Sequence, residues 1–204
     1  MYRIGVTGGI ASGKSLVSRM LGELGAHVIE ADGVYGELVR PGSPLLDELA
    51  KEFGEETVAR DGSLRRAVLA ERAFGTVSGL RRLNEITHPP LTAEIERRLK
   101  ELEREDPRGV AVVDAALLPD WEISRSLDLT VAVTAPVETR VVRMKEEGLS
   151  EAQARARVEA QRPDEWYAER ADVVITNAGT KEELGEKVAT LWRRVTSEGR
   201  TEKR

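Results

Sequence analysis

Gly8-Gly9-Ile10-Ala11-Ser12-Gly13-Lys14-Ser15 follows the short apolar run Ile4-Gly5-Val6 and fits the pattern G-x-x-x-x-G-K-[ST]. The glycines let the backbone fold around an anion with no Cβ in the way. Successive N–H groups, and the start of the helix that follows, then point at phosphate oxygens. In such a loop Lys14 reaches the β- and γ-phosphates of a nucleotide, and the Ser15 hydroxyl takes a position on Mg²⁺. Leu16, Val17, Met20, Leu21 and Leu24 continue at helical spacing. The stretch therefore predicts a strand, a phosphate-binding loop and a helix in succession; a Gly-rich turn is the plainer alternative.

Outward from this loop, strands and helices alternate, as in a parallel sheet covered on both faces. A second strand is predicted over 26–31, ending at Asp32-Gly33, where a helix begins that Pro41-Gly42 stops. Residues 43–107 read as helical, with no convincing strand. Leu45, Leu46 and Leu49 mark one helix, Ser63 is a candidate N-cap for the next, and Leu80, Leu83 and Ile86 belong to a third. His88-Pro89-Pro90 is expected to interrupt or kink that third helix, which resumes from Leu91 to Glu105. Strands return over 109–114, 129–134 and 172–176. A helix is expected from Ala135-Pro136 to about Glu147, ended by Gly148. Ser150 with Gln153 forms a capping box for the next helix, which is expected to run to about Arg162. Thr180 with Glu183 caps a last helix whose Leu184, Val188, Leu191 and Val195 lie four, three and four apart. The tail, residues 199–204, reads as disordered.

Of the 204 residues 40% are hydrophobic, enough for one core, and with only 4% aromatic the interior must be aliphatic. No stretch approaches the roughly 20 apolar residues of a membrane span. The first strand begins almost at once, which leaves no room for a signal peptide. Cysteine is absent and His occurs twice; this excludes disulfides and thiolate metal sites and fits a reducing cytoplasm. The net charge of −5 argues against nonspecific nucleic-acid binding.

Ligands on parallel sheets bind at the carboxyl ends of the strands, where the loop, Asp32, Asp114 and Thr134 are all expected. A carboxylate at Asp32 could accept the proton of an attacking hydroxyl, or simply cap its helix. Asp114 ends a strand of apolar residues, a place from which a carboxylate supports Mg²⁺; the alternative is a turn residue. Arg140, Arg143, Arg155, Arg157 and Arg162 lie on two consecutive helices, either to stabilise a transferred phosphoryl group or to form a solvated face paired with Glu146, Glu147 and Glu159. His88 reads equally as a substrate contact or a structural hydrogen-bonder. Asn177-Ala178-Gly179 could hold a base edge or make a turn, and Trp121, Trp166 and Tyr167 read as packing residues.

Taken together, these residues resemble the dephospho-coenzyme A kinase family over nearly the whole chain. The opening Ile4 to Ser15 is close to that family's Gly-Leu-Thr-Gly-Gly-Ile-Gly-Ser-Gly-Lys-Ser start. Ala31-Asp32 matches the end of its Asp-Ala-Asp signature, with Glu30 where the first Asp is usual. Leu83-Asn84-Glu85-Ile86-Thr87-His88-Pro89, Ala156-Arg157-Val158-Glu159-Ala160-Gln161 and Asn177-Ala178-Gly179 match its later elements. Ala116-Leu117-Leu118-Pro119-Asp120 replaces a Pro-Leu-Leu-aromatic-Glu stretch, and Glu146 or Glu147 stands where a second Arg is usual.

The resemblance implies an α/β fold of the P-loop nucleoside-triphosphate hydrolase or nucleotide-kinase-like kind, with a parallel sheet of about five strands flanked by helices. It implies a core of residues 1–32, 108–136 and 166–198, a helical acceptor-binding insertion over 33–107, and a helical lid over 137–165. The expected reaction is transfer of the ATP γ-phosphate to the ribose 3′-hydroxyl of dephospho-coenzyme A, with Asp32 and Lys14 catalytic. Gly9, Ala11, Ser12, Gly13, Lys14, Ser15, Leu16, Arg143, Arg157, Asn177 and Gly179 would bind ATP. Asp32, Asn84, His88 and Leu117 would bind the acceptor, and Ser15 and Asp114 would hold Mg²⁺. The expected partners are these two small molecules, not nucleic acid or membrane, with the chain a cytoplasmic monomer or weak homo-oligomer. Another P-loop small-molecule or nucleotide kinase, and a nucleotide-binding regulator without transfer activity, are the alternative readings.

Overall fold

A computed structural model describes residues 1–75, 77–116 and 118–201. In chain order the first elements are β1 (Tyr2–Thr7), α1 (Lys14–Glu23), β2 (His27–Glu30), α2 (Ala31–Leu38), α3 (Pro44–Phe53), α4 (Arg66–Phe74) and α5 (Val77–Glu105). The rest are β3 (Val110–Asp114), β4 (Leu129–Thr134), α6 (Val137–Glu146), α7 (Glu151–Glu159), α8 (Asp164–Ala168), β5 (Val173–Thr176) and α9 (Lys181–Thr201). They form two compact units: residues 1–30 with the chain from Leu99 onward, and residues 31–98.

In the first unit the strands form one parallel sheet in the order β2-β3-β1-β4-β5. Such sheets are buried on both faces. β1, at the centre, is accordingly buried from Ile4 to Thr7, and every residue of β3 is buried. One cluster joins Ile4, Val6, Val112, Val131 and Ile175 of the sheet to Val17 and Leu21 of α1 and Leu184, Val188, Leu191 and Val195 of α9. The aliphatic periodicity of α9 thus finds its core, and the Thr180–Glu183 cap forms in both directions (3.1 and 3.2 Å). α9 runs on to Thr201, so residues 199–201, expected in a disordered tail, are helical.

The second unit is built on Val39, Leu45, Leu49, Phe53, Leu69, Ala73 and Ile86, with Tyr35, Leu38 and Leu83 packed against them. This cluster seats α2, α3, α4 and α5 together. α3 starts as its sequence demands: Ser43 caps the Leu46 N–H and Pro44 occupies the first turn. Ser63 does not cap α4. Its hydroxyl and N–H bond Asp61 instead (2.6 and 3.0 Å), and the helix begins after Arg65. A local Asx turn outcompetes the cap. α2 begins at Ala31, so Asp32 lies inside its first turn rather than before it.

Pro89 and Pro90 do not interrupt α5, which is helical from Val77 to Glu105. Each proline in a helix interior costs about 3 kcal/mol. Ile86, Leu91, Ile95 and Leu99 on either side are buried, and each buried aliphatic side chain contributes about 1.5–3 kcal/mol, enough to hold the helix through the doublet.

On α5, Glu94 accepts hydrogen bonds from Arg97 (2.8 Å) and Arg98 (2.8 Å), and these hold its carboxyl down to about 2. A carboxyl held below its ordinary value stabilises the fold above that ordinary value and loses this contribution as pH falls through the folded value. Urea unfolding is therefore expected to show a loss of stability between about pH 4.5 and about pH 2 that is smaller in Glu94→Gln, the two proteins converging at the acid end.

Candidate active site

The loop between β1 and α1 is shaped by three residues in the left-handed region: Gly8 (φ 149°), Ala11 (φ 55°) and Gly13 (φ 100°). A Cβ on Gly8 would run into the Val133 carbonyl of β4, and one on Gly13 into the Asn177 amide. Ala11 is the one non-glycine with positive φ among the described residues, at a strain of about 1–2 kcal/mol. Gly13 is the N-cap of α1 and no side chain caps that end. The Leu16 and Val17 N–H groups donate to the Gly13 carbonyl (3.0 Å each), which leaves those of Lys14 and Ser15 at the helix start without an intrahelical acceptor, an arrangement that suits an anion.

Side chains from the rest of the first unit hold this loop. Arg143 of α6 donates to the Ala11 carbonyl (2.9 Å), the Ser12 carbonyl (3.1 Å) and the Asn177 carbonyl (3.1 Å). Asn177, after β5, is buried and its Nδ2 donates to the Ser12 carbonyl (2.8 Å). Arg140 is 2% exposed; it donates from Nε to the Ile10 carbonyl (2.8 Å) and from Nη1 to Asp164 (3.1 Å). Burial pushes the Asp164 carboxyl up and the Arg140 guanidinium opposes the rise. Ile10 and Ala11 also pack on Val141, Met144 and Ala154, the shared core of α6 and α7.

Lys14 pairs with Asp114, which β3 delivers beside the loop because Asp114 is in register with Val6 of β1. Asp114 is almost fully buried, and its second oxygen, Oδ2, has no hydrogen-bond partner. That orphaned oxygen and the exposed Ser15 hydroxyl fit a Mg²⁺ ion, which takes one or two protein oxygens and completes its shell with water and phosphate. Among the described residues no cluster of three or more His, Asp or Glu could cage a metal.

The other arginines divide. Arg155 is tied to Glu138 (2.9 and 2.8 Å) and Glu151 (3.2 and 3.0 Å), so its partners are not the Glu146, Glu147 or Glu159 expected. Arg162 lies 5.5 Å from the Trp166 ring centre, and Arg157 is exposed on α7 with no ion pair among the described residues. Gly9 faces the Arg140 guanidinium, Leu16 packs on the sheet core, and Gly179 precedes the α9 cap, where a Cβ would meet the Glu183 side chain.

In the second unit, Asp32 is exposed in the first turn of α2, and Asn84 and His88 are half-buried one turn apart on α5. α2 is pinned to α5 by Glu37–Arg98 (2.6 Å). Leu117 lies outside the described residues. Sequence reading gave no role to Asp164 and named Gln161 only as the end of the family-like stretch Ala156–Gln161, although both bond Arg140. Asp164 after Pro163, opening a short helix, was the available signal.

A five-stranded parallel sheet with a nucleotide-type phosphate loop at its centre and arginine-bearing helices beside it defines a P-loop kinase. A family model described as dephospho-CoA kinase matches residues 2–183. The dephospho-CoA kinase of Corynebacterium glutamicum is 44% identical over 185 residues, covering 90% of this chain and 94% of that protein. Among solved structures, TT1252 from Thermus thermophilus superposes with a TM-score of 0.79 at 32% identity, covering 95% of this chain and 97% of that one. The dephospho-CoA kinase from Campylobacter jejuni superposes with a TM-score of 0.70 at 21% identity, covering 96% and 98%. The chain belongs to the dephospho-CoA kinase family.

Backbone conformation ranks the loop positions. Ala11→Gly is expected to change stability by no more than about 1 kcal/mol, because relief of strain offsets the freer unfolded chain. Gly8→Ala, with a Cβ driven at the Val133 carbonyl, is expected to cost more than about 2 kcal/mol. Denaturant unfolding of the two variants checks this order.

Proposed function

We propose that this chain transfers the γ-phosphoryl group of ATP to the ribose 3′-hydroxyl of dephospho-coenzyme A, giving coenzyme A and ADP. The observation that carries this is the loop at residues 8–15, whose uncapped helix start, Lys14 and buried Asp114 are assembled on one sheet edge in a chain of this family. The loop amides and Lys14 receive the β- and γ-phosphates. A lysine ammonium has three donors, so Lys14 can engage phosphate oxygens while it still faces Asp114. Ser15 and Asp114 would hold Mg²⁺, which supplies charge neutralisation of the phosphates when bound. Arg143 and Arg157 face the nucleotide from α6 and α7, and Asn177 and Gly179 form the turn on its base side.

Asp32 accepts the proton of the attacking hydroxyl, a contribution of about 10²–10⁴ in rate. What supports this role is that Asp32 follows β2 within two residues and is exposed. Asn84 and His88 hold the acceptor, with Leu117 assigned alongside them. The helical segment 33–107 serves as the acceptor-binding insertion and residues 137–165 as a lid that excludes water from the phosphoryl group. No helix among the described residues is long and apolar enough to cross a membrane. With no cysteine and a net charge of −5, we place the reaction in the cytoplasm, on a monomer or weak homo-oligomer.

Mass analysis after mixing the protein with ATP, Mg²⁺ and dephospho-coenzyme A is expected to show the acceptor heavier by one phosphoryl group. ATP loss without that product would overturn the assignment. Asp32→Asn is expected to lower kcat about 10²- to 10⁴-fold with the KM for ATP little changed, whereas Lys14→Ala is expected to weaken both. Steady-state kinetics with each substrate varied separate the two.

A further inference from the structure

We infer that Gln161 is a positioning residue that sets the phosphate loop through the backbone of Ile10. Gln161 Oε1 accepts a hydrogen bond from the Ile10 N–H (2.6 Å) and one from Arg140 Nη2 (3.3 Å). Arg140 Nε in turn donates to the Ile10 carbonyl (2.8 Å). Both polar groups of one loop residue are therefore held by two side chains that also bond each other. The next residue is Ala11, in the left-handed conformation that L-residues rarely adopt. Its own carbonyl is held by Arg143 (2.9 Å). The strained step thus lies between two side-chain clamps, one on Ile10 and one on Ala11, and a conformation of this kind persists only where its surroundings over-determine it.

Gln161 is placed for this by the end of α7: its own N–H donates to the Val158 carbonyl (3.2 Å). Three residues on, Asp164 receives Arg140 Nη1 (3.1 Å) and the Ala135 N–H (3.2 Å). The segment from the end of α7 to the start of α8 therefore carries the acceptors that fix both the loop and the cation behind it. A displacement of α7 at this point breaks the Ile10 bond, so loop geometry and the position of α7 are coupled. The role needs an acceptor oxygen at position 161; the amide nitrogen has no part in it. Gln161 is exposed, so truncating it opens no core.

The inference rests on the reading of residues 8–15 as the ATP site, and its test separates the two. If the loop visits its binding conformation only part of the time, apparent nucleotide affinity falls by that fraction. ATP binding measured by calorimetry without acceptor is expected to weaken about tenfold in Gln161→Leu, the scale of one lost hydrogen bond. The kcat at saturating ATP should stay within about threefold, and the KM for dephospho-coenzyme A within about twofold. Hydrogen exchange at the Ile10 amide should speed up, with the melting temperature nearly unchanged. Gln161→Glu keeps the acceptor oxygen and is expected to restore both ATP affinity and Ile10 protection. Wild-type affinity in Gln161→Leu would overturn the inference, as would a Gln161→Glu variant as impaired as Gln161→Leu, which would mark the amide as a direct donor to nucleotide. Absence of ATP binding in the unmodified protein would instead sink the site reading itself.

Discussion

The chain can pass from β1 into α1 only because its backbone presses against neighbouring strand ends with no Cβ between. Gly8 lies on the Val133 carbonyl of β4 and Gly13 on the Asn177 side chain beyond β5. The start of α1 follows the carboxyl end of β1, where helix start and sheet edge together favour an anion. The parallel register does the rest, since it brings Asp114 level with Val6 and Thr134 level with Thr176.

Burying charge beside the loop is expensive unless each charge is answered. Arg140, nearly inaccessible, is answered by Asp164, by Gln161 and by the Ile10 carbonyl. Arg143 is answered wholly by carbonyl oxygens, which a guanidinium, with five donors in a fixed fork, can collect as a lysine could not. The exposed arginines are used differently. Arg155 joins Glu138 to Glu151 across α6 and α7, an arrangement worth little in stability at a solvated surface. Arginines that look alike along two helices thus fall into separate tasks by depth.

Local rules held where one residue's chemistry faced no competitor. The box of Ser150 and Gln153 formed (3.0 and 3.2 Å), β4 spans Leu129–Thr134 as its hydropathy suggests, and Gly148 ends α6 just past Glu146. They failed where two local preferences met, or where burial outweighed one. Asp61 took Ser63 from its expected cap, and aliphatic burial carried α5 through two prolines. Propensity is worth tenths of a kcal/mol to a few; a buried aliphatic face is worth more.

The order of strands and helices, the phosphate loop and the family could be read from the sequence by itself, because glycine spacing, apolar periodicity and capping residues act over a few positions of chain. That side chains grip the loop backbone could not, although Arg140, Arg143 and Asn177 were singled out for the nucleotide. Arg140, Arg143, Gln161 and Asn177 lie some 130 to 165 residues away from it in sequence, and a hydrogen bond over such a span depends on where helices and strand ends come to rest. Only the packed sheet decides that, because each of those bonds needs donor and acceptor within about 3 Å, a condition no local pattern encodes.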